Sequence, residues 1–78
     1  MAAAYVKIYC NRTAVRTFGG NRREVKDMKR RYDNMTRAQF LAEHLRFEDS
    51  VRCTNACIIT TEYHVNYSGL KERTVHYA

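Results

Sequence analysis

Proline and tryptophan are absent from these 78 residues, and glycine occurs only three times. With so few chain breakers there is no linker, low-complexity run or internal repeat. At this length, residues 1–78 form a single compact domain near the size at which one core just suffices. Long apolar runs are missing too, and none approaches the roughly 20 residues needed to span a bilayer. The opening MAAAYVKIYC has no basic start and reaches Lys7 at once, so it does not read as an export signal. Cysteine is scarce and odd in number (Cys10, Cys53, Cys57), which argues against a secreted disulfide framework. The expectation is three free thiols in a reducing compartment, the cytoplasm. No catalytic signature, glycine-rich phosphate loop or paired metal-ligand spacing is present, so neither enzyme activity nor a cofactor is expected.

What is present is positive charge. Fourteen Lys and Arg against eight Asp and Glu leave a net charge of +6, and ten of the fourteen are Arg. Arg forks onto carboxylate and phosphate and stacks on bases, so this balance points to a polyanionic partner, an acidic protein surface or nucleic acid. Apolar residues at 45% and aromatics at 12% are too many for a disordered chain.

Ala4–Cys10 alternates, with Ala4, Val6, Ile8 and Cys10 on one side and Tyr5, Lys7 and Tyr9 on the other, the period of a half-buried strand. Asn11-Arg12 reads as a turn and Thr13–Phe18 as the returning strand, with Arg16 expected to point the same way as Tyr5, Lys7 and Tyr9. Asn21 with Glu24 forms a capping-box pattern, followed by Val25, Met28, Tyr32 and Met35 at helical spacing. Thr36 with Gln39 repeats the signal, and Phe40, Leu41, His44, Leu45 and Phe47 give a second apolar face. Two helices, over 22–33 and 37–48, are therefore expected. The strongest strand signal is Ala56–Val65, turning at 66–69 into a last strand over Leu70–Tyr77. Pairing Val65 with Leu70 sets Glu62 opposite Arg73, Thr60 opposite Val75 and Ile58 opposite Tyr77. The order ββααββ implies an α+β domain, an antiparallel sheet of about four strands with two helices on one face.

Arg22, Arg23, Lys26, Lys29 and Arg30 fall within a sector of roughly 120° of the first helix, a candidate partner- or phosphate-binding face. Tyr5, Lys7, Tyr9 and Arg16 form a candidate second patch, where rings beside cations suit single-stranded bases. Cys53-x-x-x-Cys57 lacks zinc-knuckle spacing, and no metal site is expected. A metal-independent ribonuclease built on His64, His76, Arg73 and Tyr77 is a lesser alternative, since the two His point to opposite faces in this register.

Two function classes remain. One is a small basic, non-enzymatic inhibitor or regulator that docks on an acidic protein surface or a nucleoprotein machine. The other is a DNA- or RNA-binding module using the helix face. The absence of any nucleic-acid-binding motif favours the first. A short, motif-free basic domain resembles, in profile, the phage-encoded anti-CRISPR and anti-defence inhibitors, which act in the host cytoplasm. No residue carries over from that likeness. A homodimer through a sheet edge is compatible with the sequence, and a membrane partner is not expected.

Overall fold

The computed structural model describes residues 2–44 and 58–77. Its elements are β1 (Ala4–Cys10), β2 (Thr13–Gly20), α1 (Arg22–Asp33), α2 (Arg37–Glu43), β3 (Ile58–Val65) and β4 (Gly69–Tyr77). The four strands form one antiparallel sheet in the order β2-β1-β3-β4, and the α+β class and ββααββ order are as expected. The second helix, expected over 37–48, ends at Glu43 with His44 as its C-cap. Leu45, Phe47, Cys53 and Cys57 lie outside the described residues, as do positions 56–57 of the expected strand. No helix among the described residues is long and apolar enough to cross a membrane.

The central strands explain the burial. Ala4, Val6, Ile8 and Cys10 of β1 are buried, and β3 contributes Ile59, Thr61, Tyr63 and Val65 to the same side. Val25 and Tyr32 of α1 and Phe40 of α2 close over them. Helix α1 crosses every strand, while the other face of the sheet carries the alternate residues.

A bulge decides which side chains of β2 reach that core. Val15 and Phe18 are three residues apart, so a regular strand would point them to opposite faces. A register shift between Ile8 and Tyr9 pairs Ile8 with Arg16 and Val6 with Phe18, and both apolar side chains then turn inward. Arg16 turns inward with them. This corrects the expectation that it shares the face of Tyr5, Lys7 and Tyr9: the partner of Lys7 is Thr17, and Arg16 pairs with the inward-facing Ile8.

The last hairpin is shifted by one residue at its tip. Val65 pairs with Gly69 rather than Leu70, because Tyr67 (φ 69°) and Gly69 (φ 75°) take the left-handed turn conformation. A second bulge between Tyr63 and His64 restores the expected pairs Glu62–Arg73, Thr60–Val75 and Ile58–Tyr77.

Both helix starts are capped by the residues that the spacing named. The Asn21 side chain accepts from the Glu24 backbone N–H, and Thr36 with Gln39 forms a complete capping box. Asn11 extends the β1–β3 pairing, its N–H donating to the Ile58 carbonyl and its side chain accepting from the Ile58 N–H. Ala2 and Ala3 are tied to the sheet. The Ala3 N–H donates to Gly20 O, the Ala3 carbonyl accepts from Asn66 N, and the Asn66 side chain donates to the Ala2 carbonyl. Cys10 is disulfide-bonded, which corrects the expectation of three free thiols; the other half of the bond lies outside the described residues.

Candidate functional site

The cation set predicted on α1 divides in two. Lys29 is four residues after Val25 and three before Tyr32, on the stripe that faces the sheet, and it is only 4% exposed. Its ammonium donates all three protons, to Asp33 Oδ2 (2.7 Å), Glu72 Oε1 (2.8 Å) and Thr74 Oγ1 (2.7 Å). Burial alone would lower its pKa, but the hydrogen bonds and charges of Asp33 and Glu72 outweigh it and raise the value above 10.5. Thr61 donates to the second oxygen of Asp33, so the cluster ties α1 to β3 and β4. Lys29 is a buried tie and is not part of the exposed basic face.

Arg22, Arg23, Lys26 and Arg30 stay at the surface. Arg30 meets Asp27 at 3.8 Å with both side chains mostly exposed, a pair of little energetic weight. Arg22, Lys26 and Arg30 recur every fourth residue, so they run along one flank of α1, about 6 Å apart at 1.5 Å per residue. Across from this row stands the β3–β4 hairpin, and between them lie two adjoining hollows of about 290 and 430 Å³. They share Lys26, Tyr63 and Glu72. Tyr63 and Val65, 6% and 7% exposed, form an apolar floor. The Lys26 ammonium sits 5.7 Å from the centre of the Tyr63 ring, and Lys71 adds a cation on the hairpin side.

Lys71 is the residue that sequence reasoning missed. It lies 45 positions after Lys26, and only the pairing of β3 with β4 brings it to this groove. The carboxylate of Glu72 is held by Lys29 and has its pKa lowered by that contact, so the rim keeps a cationic excess from Arg22, Lys26, Arg30 and Lys71. Such a groove suits an anionic segment that also brings an apolar side chain.

The second predicted patch keeps Tyr5, Lys7 and Tyr9 and loses Arg16. The Arg16 guanidinium donates to Tyr32 Oη (3.2 Å) and to Glu43 (3.4 Å) on the helix side. Its place on the open face is taken by Arg73, which forks onto Glu62 Oε2 through Nε (2.9 Å) and NH2 (2.6 Å). Tyr9 Oη donates to the other oxygen of Glu62 at 3.2 Å. Burial opposes ionisation of Glu62, but the bonds from Arg73 and Tyr9 prevail and hold it below the usual carboxylate range. Burial, reinforced by Glu62, raises the Tyr9 pKa. A carboxylate so saturated is a structural acceptor and a poor general base.

His64 stacks on Tyr5 on this open face (ring centres 4.7 Å apart), whereas His76 on the helix side bonds the Met35 carbonyl at 2.6 Å. The two imidazoles are on opposite sides of the sheet, as the register implied. Among the described residues, no group of three or more His, Cys, Asp or Glu is placed to hold a metal ion.

His44, read as part of the second apolar helix face, is 2% exposed. Its Nε2 lies within hydrogen-bond distance of Tyr32 Oη (3.0 Å), the same oxygen that accepts from Arg16. Burial lowers the His44 pKa below 6.5; Arg16 and Arg31 push the same way and Glu43 opposes. An unfolded chain therefore takes up a proton that the folded one refuses. The contribution is absent above about pH 6.5 and becomes destabilising as the pH falls below it. Urea midpoints should be flat from pH 8 to 7 and decline between pH 6.5 and 5, above the range where lowered carboxylates act. A His44→Asn variant that keeps the same slope would locate the titration elsewhere.

No protein-family model, no curated protein and no solved structure matches this chain.

Proposed function

We propose that this chain is a non-enzymatic inhibitor or regulator that docks an acidic segment of a protein, or of a nucleoprotein machine, into the groove between α1 and the β3–β4 hairpin. One observation carries the reading: cations that form no ion pair within 4 Å among the described residues (Arg22, Lys26, Lys71) surround an apolar floor (Tyr63, Val65). Phosphates alone would need the rim and leave the floor unused, whereas an acidic amphipathic segment uses both. The size, charge and freedom from motifs shared in profile with phage-encoded anti-defence inhibitors support the same class. The reading carries no compartment with it, since the Cys10 disulfide fits an oxidising setting better than a reducing one.

The test is an anisotropy titration with a labelled Glu- and Leu-rich amphipathic peptide and with duplex DNA, at two salt concentrations. The peptide should bind with a salt-dependent affinity. Reversing Arg22, Lys26 and Lys71 together to Glu should weaken it at least tenfold, with the thermal midpoint unchanged within a few degrees. A groove that ignores the peptide yet loses duplex DNA in the same triple variant would belong to the nucleic-acid class instead.

A further inference from the structure

The sheet has a second functional face. Both helices lie on one side, and the other presents Tyr5, Lys7 and Tyr9 from β1, His64 from β3, and Arg73 and Tyr77 from β4. We propose that this open face binds single-stranded nucleic acid, with Tyr5 and Tyr9 as base-stacking rings and Lys7 as the phosphate contact between them.

The arrangement follows from strand geometry. Tyr5 and Tyr9 stand about 13 Å apart at roughly 3.3 Å per residue, with Lys7 midway, so an extended strand along β1 meets ring, cation and ring in turn. The rings are braced in advance. Tyr5 is parallel to His64 within 6°, and Tyr9 is fixed by its bond to Glu62. A braced ring loses less conformational freedom when a base stacks on it. Tyr77, 76% exposed at the β4 edge, offers a further ring.

The charge of the face selects the occupant. Glu62 is its one carboxylate among the described residues, and Arg73 and Tyr9 take it up. Lys7 lies opposite Glu62 in register but makes no ion pair with any described residue. The face is thus cationic with half-buried rings at Tyr5 and Tyr9 and an exposed one at Tyr77, which fits an unpaired base with its phosphate. A second copy stacked face to face would bring two cationic faces together, with one carboxylate on each among the described residues, already engaged, to offset them. Duplex DNA hides its base faces and could use only Lys7.

The inference is independent of the groove, and the experiment separates them. Labelled (dT)12, rU12 and a 12-base-pair duplex are titrated by anisotropy at 50 and 150 mM salt. The single strands should bind more tightly than the duplex and quench tyrosine fluorescence of the wild-type protein. Tyr5→Leu should weaken single-strand binding at least fivefold, the low end of what stacking one base contributes, while Tyr5→Phe stays within twofold of wild type. Lys7→Gln should flatten the log–log salt dependence by about 0.7. The groove triple variant should keep the preference for single strands. Equal affinity for duplex, an unaffected Tyr5→Leu variant, absence of quenching, or a dimer that protects Tyr5 would each overturn the proposal.

Discussion

Replacing Lys29 by Met should lower folding stability by about 2–3 kcal/mol, with any loss of affinity for an acidic peptide limited to the effect of the freed Glu72 carboxylate and smaller than that of the groove triple variant. Removing one partner of a buried ion pair typically costs about 3–5 kcal/mol, because the remaining charge is left without compensation. The lower figure applies here because Glu72 has a 65% exposed side chain and recovers water once Lys29 is gone. Asp33, at 21%, recovers less and keeps only the Thr61 hydroxyl. Adding Asp33→Asn to the Met variant should therefore restore a good part of the loss. The charged form of Lys29 is stabilised by folding, with its pKa raised above 10.5, so its contribution is complete at neutral pH. It disappears only as the pH rises through that raised value. Urea unfolding followed by circular dichroism, alongside the peptide titration, decides the matter. A tenfold loss of affinity with an unchanged urea midpoint would return Lys29 to the exposed basic face.

That division between Lys29 and its neighbours shows how far the sequence can be read. The spacing that marks Val25, Met28 and Tyr32 as apolar also places Lys29 on the stripe, since it follows Val25 by four and precedes Tyr32 by three. Charge type argued for the surface, and position was the stronger guide. Its partners Glu72 and Thr74 could not be read at all, because they depend on β4 lying beneath α1 in the order β2-β1-β3-β4.

Arg16 failed for a different reason. Counting from the Asn11-Arg12 turn pairs it with Lys7, and one inserted residue at the β1–β2 bulge moves it to the other face. The mismatch of Val15 and Phe18, three apart in an otherwise alternating strand, was the available signal for that bulge. The β3–β4 hairpin was legible because Glu62–Arg73 pairs opposite charges in a register that a one-residue slip at the tip leaves intact. Local patterns therefore located the described elements, with α2 expected to run on to 48 where it ends at Glu43, while the assembly of the groove rested on long-range pairing that periodicity does not encode.

Phe40→Ala is expected to be the most damaging single substitution, with a loss of about 3–5 kcal/mol. Helix α2 has seven residues, too few to persist on propensity in water. Its capping box supplies roughly 1 kcal/mol, and Phe40, at 0% exposure, is its buried residue. The ring packs edge-on to Tyr32 (centres 6.2 Å apart) and against the His44 imidazole (4.6 Å). Truncation therefore opens a cavity and also frees the helix that carries Glu43, the acceptor for Arg16 and Arg31. At roughly 0.05–0.15 kcal/mol per residue, a chain of this length has about 4–12 kcal/mol in all, so the substitution removes a quarter or more of it and the urea midpoint at 25 °C should fall steeply. Phe40→Leu keeps most of the volume and should cost about 1 kcal/mol. Because the Arg22–Lys26–Arg30 flank of α1, the hairpin and the open sheet face lie away from this contact, Phe40→Leu should leave both proposed binding activities unchanged. A Phe40→Ala protein that unfolds cooperatively within about 1 kcal/mol of wild type would mean that α2 is held by its cap and the Glu43 pairs instead of by its buried ring.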